Sequence, residues 1–189
     1  GNSIFYAGTF AIGSIIVNAL AGFAFAKVNF SGKKILFGFL LALLIIPVET
    51  VLIPQFTIIN SLGLVNNRLA VIIPGLASVF NIYLFRNFFI AIPEEILESA
   101  KMDGASIVRI FFRIMLPMSK PAVATVGVLS FISSWNDYIW PLMVLTDSSK
   151  FSMQVMAVLT ISTIPLILVY VVAQKYIVQG LGGSGTGIK

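Results

Sequence analysis

The sequence predicts an all-α, polytopic transmembrane helical bundle, and three observations carry that reading. First, the 189 residues are 58% hydrophobic and 10% charged, with a mean hydropathy of +1.02, whereas an ordinary soluble domain carries about 25% charged residues. A chain this short and apolar cannot cover its own surface with polar groups in water, so its solvent is lipid. Second, its apolar residues fall in runs long enough to cross a bilayer. Third, its lysines and arginines gather on alternate connections between those runs.

A hydrocarbon core about 30 Å thick needs roughly 20 apolar residues at 1.5 Å rise each. Five stretches meet that length approximately: 4–26, 35–53, 69–91, 122–145 and 156–178. Backbone polar groups in hydrocarbon must be satisfied internally, so these read as helices, and the alternation of a barrel is absent. The first stretch has no basic leader and is long enough to span, so it is not a signal peptide. The chain starts at Gly1 and turns apolar almost at once, which reads as a fragment or as numbering from an internal point. Pro47, Pro74, Pro141 and Pro165 sit inside the runs. Each either shapes a helix simply or marks a broken helix along a transport path, and proline alone does not decide between the two.

The connections acquire sides from their cations. Lys27, Lys33, Lys34, Lys101, Arg109, Arg113 and Lys120 share one side, with Arg86, Lys175 and the tail residue Lys189, whereas Arg68 and Lys150 lie on the other. The 27–34 turn, the 93–120 loop and the C-terminal tail are therefore cytoplasmic. Gly1, the 54–68 loop and the 146–154 loop face outside. The net charge of +5 follows from this placement. No long basic run exists, so no nucleic-acid partner is expected.

Residues 93–117 differ from everything around them. Pro93 is followed by Glu94 and Glu95, which suit a helix start. Ile96, Leu97 and Ala100 fall on one face of this short helix, which Asp103-Gly104 breaks. A second helix starts near Ser106 as N-cap, places Ile107, Ile110, Phe111 and Ile114 on one face, and stops at Pro117. A pair of short amphipathic helices suits either the membrane interface or a groove in a partner protein.

The spacing in this loop resembles a known family. Glu98-Ser99-Ala100, three residues, Gly104, nine residues, then Ile114-Met115-Leu116-Pro117 is similar to the EAA loop of ABC importer permeases: Glu-Ala-Ala, three residues, Gly, nine residues, Ile, any residue, Leu-Pro. Ser99 in place of the first Ala keeps a small residue. Leu20 to Ala26 before a basic turn, Ile53-Pro54 after Glu49, Asn60 to Leu64, Pro93-Glu94-Glu95, Ser134-Trp135-Asn136-Asp137 and the ending Gln174-Lys175-Tyr176 with Gly187-Ile188-Lys189 resemble the carbohydrate-uptake branch, which includes maltose- and glycerol-phosphate-type systems. Family members usually begin with a further span and have a longer loop before the last helix.

The resemblance implies one permease domain over residues 1–189, with residues 93–117 as its coupling loop in a bacterial or archaeal cell membrane. Matched by position, Glu98, Ser99, Ala100, Asp103, Gly104, Ile114, Leu116 and Pro117 would engage the ATPase. The implied partners are two copies of a cytoplasmic ATPase, a second permease, an extracytoplasmic solute-binding protein, a sugar or sugar derivative, and lipid. A different solute, or a non-ABC channel or structural membrane protein, is the alternative.

Polar residues within or near apolar runs, namely Asn18, Glu49, Asn81, Asn136 and Asp137, face protein or water, because a lone charge at mid-bilayer costs about 2.5–3.5 kcal/mol on insertion scales. Trp135, Asn136, Asp137 and Glu49 are thus candidates to line a translocation path. Asp137 with Trp135, Tyr138 and Trp140 is equally read as an aromatic belt near the outer surface. No enzymatic chemistry is expected, and no cofactor or metal. Cysteine and histidine are absent, which removes thiolate ligands and the commonest general base. The glycine-rich segment 180–187 lacks the Gly-Lys-Ser/Thr ending of a phosphate-binding loop, and no Gly-x-Ser-x-Gly motif is present.

Overall fold

The first apolar stretch forms one continuous helix, whereas the next three are each broken in two. These elements come from a computed structural model, which describes residues 1–156 and 159–182. Of the glycine-rich segment 180–187, residues 180–182 are helical, whereas residues 183–189, including Gly187-Ile188-Lys189, lie outside the described residues. Helix α1 spans Asn2–Lys27, and its 26 residues give about 39 Å at 1.5 Å rise. Helix α2 (Lys33–Ala42) runs into a 3₁₀ turn, Leu43–Ile45, and α3 (Val48–Ser61) follows at 106° to that arm. The predicted single span over 35–53 is therefore corrected. Ile46 precedes Pro47 and is extended (φ −79°, ψ 119°), the conformation that a following proline favours. Pro54 lies inside α3, so the predicted 54–68 loop shrinks to the turn before α4.

Helix α4 (Arg68–Ile72), a 3₁₀ turn at Ile73–Gly75 and α5 (Val79–Ile90) make the next stretch, bent by 51°. The loop after it contains α6 (Glu94–Met102), α7 (Ile107–Ile110), a π-helical turn (Phe111–Met115) and α8 (Leu116–Met118). Helix α9 (Lys120–Asn136) ends at an extended Asp137, beyond which α10 covers Ile139–Val144. Helices α11 (Met153–Met156) and α12 (Leu159–Gly182) complete the chain. Among the described residues one helix is long and apolar enough to cross a membrane, and three bent pairs pass the same test together.

Helix α1 is the axis of the bundle, packing against α5 and α9, while α12 packs on α9. Close approach requires a missing side chain at Gly22, where a Cβ would lie 2.6 Å from Phe85 Cβ and 3.0 Å from the Arg86 nitrogen. Small residues permit this kind of contact between membrane helices.

The two ends are stitched differently. At the basic end, the Lys27 side chain is 5% exposed, and its Nζ donates to the Ile92 carbonyl (2.7 Å) and pairs with Glu94 (3.1 Å). Lys33 donates to the Ala26 and Val28 carbonyls, closing the C-terminus of α1. At the other end, Asn66 takes a left-handed φ of 62° and its side-chain oxygen accepts from the Thr146 and Asp147 amides. Tyr6 donates to the Lys150 carbonyl, and Asn2 to the Ser149 and Phe151 carbonyls. Gly1, the turn before Arg68 and the 146–154 connection thus meet at one end of α1, opposite the lysine-rich end.

Candidate functional site

The loop between α5 and α9 folds into an elbow whose bend is a left-handed helix cap. Gly104 adopts φ 76°, its amide donates to the Lys101 carbonyl (3.0 Å), and the Ala105 amide donates to the Ala100 carbonyl (2.9 Å). This paired closure is the Schellman arrangement, and glycine enters that conformation without the Cβ penalty. A Cβ at Gly104 would meet nothing within 4 Å, so the backbone alone demands glycine there. The second limb starts as predicted, with Ser106 Oγ accepting from the Arg109 amide.

That limb does not stop at Pro117. The π turn carries the helix through to Met118, with the Leu116 amide bonded to the Phe111 carbonyl. Such a turn inserts an extra residue into the ladder just where Pro117 lacks a donor. The helix ends instead at Ser119, and α9 leaves at 82°.

One face of the elbow belongs to the bundle core. Leu97, Ala100, Ile110, Phe111 and Met115 are buried in one cluster with Phe23, Phe85 and Phe89. The Phe111 ring lies 5.4 Å from Phe23 and 6.4 Å from Phe89, within the range of favourable aromatic pairs. Of the matched motif residues, Glu98, Ser99, Asp103, Gly104 and Pro117 are exposed, Ile114 and Leu116 are half-buried, and Ala100 is buried. Ala100 therefore faces the bundle and leaves the outer surface to its neighbours. Ile107, predicted on one face with Ile110, Phe111 and Ile114, is exposed while Ile110 and Phe111 are buried. Met102 (86% exposed), Val108 and Phe112 add apolar surface to that outer side. Their exposure is legible only once the buried face is known.

The path candidates separate. Glu49, in the first turn of α3, and Asp137, at the break between α9 and α10, line one cavity of 530 Å³. Asp137 Oδ1 accepts the Trp140 amide at 3.2 Å. Asn136 is exposed outside the lining, and Trp135 is buried, stacked on Phe131 at 5.6 Å. Sequence reasoning singled out Asn18 and Asn81 only as polar residues within apolar runs. In the structure they join Ser14 and Ser130 in a buried seam. Asn18 donates to the Ser14 and Leu76 carbonyls and accepts from the Ser78 amide (2.8 Å). Asn81 reaches Ser14 and Ser130, whose hydroxyls are 3.0 Å apart. Asn18 thereby satisfies backbone groups freed where α4 and α5 part, as apolar surroundings require.

Comparison with known proteins agrees with this geometry. Residues 18–183 match the family model "Binding-protein-dependent transport system inner membrane component". The chain is 32% identical to the sn-glycerol-3-phosphate transport system permease protein UgpE of Yersinia pestis bv. Antiqua, over 97% of this chain and 72% of that protein. It is 29% identical to the arabinooligosaccharides transport system permease protein AraQ of Halalkalibacterium halodurans, over 98% and 72%. A crystal structure of a bacterial ABC transporter involved in the import of the acidic polysaccharide alginate superposes with a TM-score of 0.80 at 30% identity, covering 93% of this chain and 72% of its own. The fold of this chain is thus shared with that transporter, and this chain belongs to the family of binding-protein-dependent transport system inner membrane components.

Proposed function

We propose that the chain is the transmembrane permease subunit of an ATP-driven importer for a sugar or sugar derivative, in a bacterial or archaeal cell membrane. The observation that carries this reading is the two-sided elbow: its inner face is fused to the bundle core, while its outer face is bare. The bare face carries Glu98, Ser99, Asp103 and Gly104 beside Met102, Val108 and Phe112, a mixed apolar and acidic surface suited to a cleft in a cytoplasmic ATPase. ATP binding and hydrolysis belong to that separate subunit.

The full assembly in this reading holds two ATPase copies, this chain, a second permease and an extracytoplasmic solute-binding protein. Closure of the ATPases pushes on the elbow, and Phe111 passes the displacement to Phe23 on α1 and Phe89 on α5. The two permeases then shift between inward- and outward-open populations, with no chemistry in this chain. The sugar assignment draws on the relatives' names and on the Ser134-Trp135-Asn136-Asp137 segment.

Gentle affinity purification from native membranes, with and without Gly104→Pro, tests the proposal. Proline cannot adopt a φ of 76° and lacks the amide that donates to Lys101. The expected result is an ATPase and a second permease that accompany the unaltered chain, with ATP hydrolysis, and are lost with Gly104→Pro. Purification of the unaltered chain without an ATPase overturns it.

A further inference from the structure

We propose that the cavity between α3 and the α9–α10 break binds a polyhydroxylated solute carrying no negative charge, and that Glu49 and Asp137 disfavour phosphorylated or uronic-acid sugars there. The inference rests on the importer reading and names the substrate class of its path. The volume, 530 Å³, lies within the range of small-molecule sites. Three kinds of side chain make it a site and not merely a gap.

Glu49 and Asp137 bring two carboxylates to the lining from distant parts of the chain, and neither forms an ion pair among the described residues. Ionised carboxylates only accept hydrogen bonds, so they suit the donors of a sugar hydroxyl. Ser152 also lines the cavity and is 4% exposed, yet its buried hydroxyl has no hydrogen-bond partner. A buried orphan hydroxyl in a cavity wall calls for a polar occupant. Trp140 supplies the third kind: its indole N–H is already spent on the Ala70 carbonyl (2.9 Å), which leaves apolar ring surface.

The charge balance selects among solutes. No Lys or Arg is found among the described lining residues. Arg68 sits over the Phe5 ring at 5.3 Å and beside the Tyr6 hydroxyl of the lining, and Lys150 donates to the Asn66 carbonyl at 2.9 Å. An anionic sugar would therefore meet two like charges with no guanidinium or ammonium among the described lining residues to pair with. Repulsion of that kind discriminates between solutes of similar shape.

The chain has no cysteine, so Ser133→Cys gives it a single thiol at an exposed residue of the cavity lining. The test labels this thiol in membrane vesicles carrying the whole transporter, using a trimethylammonium and a sulfonate methanethiosulfonate, each normalised to free cysteine. The cationic reagent is expected to react about ten-fold faster, with the ratio falling toward one when Glu49→Gln and Asp137→Asn are added. Uptake of a neutral arabinose trimer, glycerol phosphate and a uronate trimer is measured in the same vesicles. Equal or reversed reagent rates in the Ser133→Cys chain, which needs no change to either carboxylate, overturn the proposal. So does uptake of the anionic solutes matching the neutral trimer, and that result leaves the importer reading standing. Absence of both uptake and an accompanying ATPase removes the importer reading, and this inference with it.

Discussion

The elbow between α5 and α9 and the arm formed by α2 and α3 invert the usual relation between hydrophobicity and burial. The elbow holds most of the chain's acids, yet Leu97, Ile110, Phe111 and Met115 lock it into the core. The arm is far more apolar, yet α2 buries no residue, and Phe39 is 70% and Ile45 84% exposed. Helix α2 is tied peripherally, with Arg86 over Phe37 at 4.3 Å and Phe37 beside Phe25 at 5.2 Å, whereas α3 buries Ile59 in one cluster with Tyr6 and Trp140. In lipid, apolar surface gains little by leaving its solvent, so packing follows shape and hydrogen bonding. The elbow offers aromatic rings that interlock, whereas α2 offers little beyond apolarity.

Four substitutions test that contrast, each read by denaturant unfolding of the purified chain in detergent. Gly22→Leu has the largest expected effect, about 3 kcal/mol or more, because its side chain must force α1 away from α5. Phe111→Ala is expected to cost about 2 kcal/mol, below the roughly 3–5 kcal/mol seen in water-soluble cores, since only the cavity term survives in lipid. A loss near zero there would mean that the elbow is not fused to the bundle. Asn18→Leu leaves the Ser78 amide and Leu76 carbonyl without their side-chain partner, for an expected loss of about 1–2 kcal/mol. Phe39→Ala should stay within about 0.5 kcal/mol; a larger drop would show that α2 packs on the bundle after all.

The elbow was the most legible part of the molecule. Ser106 as N-cap, Gly104 at the bend and the acids in the first turn of α6 are local signals, each acting through backbone groups within a few residues. The path candidates were half legible. Glu49 and Asp137 share a cavity because two helix breaks, at Ile46–Pro47 and at Asp137, turn their elements toward each other, and the sequence shows neither the breaks' angles nor the pairing. Pro117 was misleading for a related reason: proline usually ends a helix, but a π turn upstream carried the chain past it. Asn18 and Asn81 stood out as polar residues in apolar runs, but their shared partners lie on other helices.

An all-α membrane protein, its basic end and the bend of its elbow follow from composition and local signals, because solvent preference and capping act at short range. The inward face of Ala100, the 106° turn of the 35–53 stretch and the sealing of the α4–α5 break by Asn18 emerge only from how the helices pack. Those outcomes depend on which helices approach closely. Among membrane helices that choice rests on a few small residues and buried hydrogen bonds, not on the hydrophobicity that every span shares.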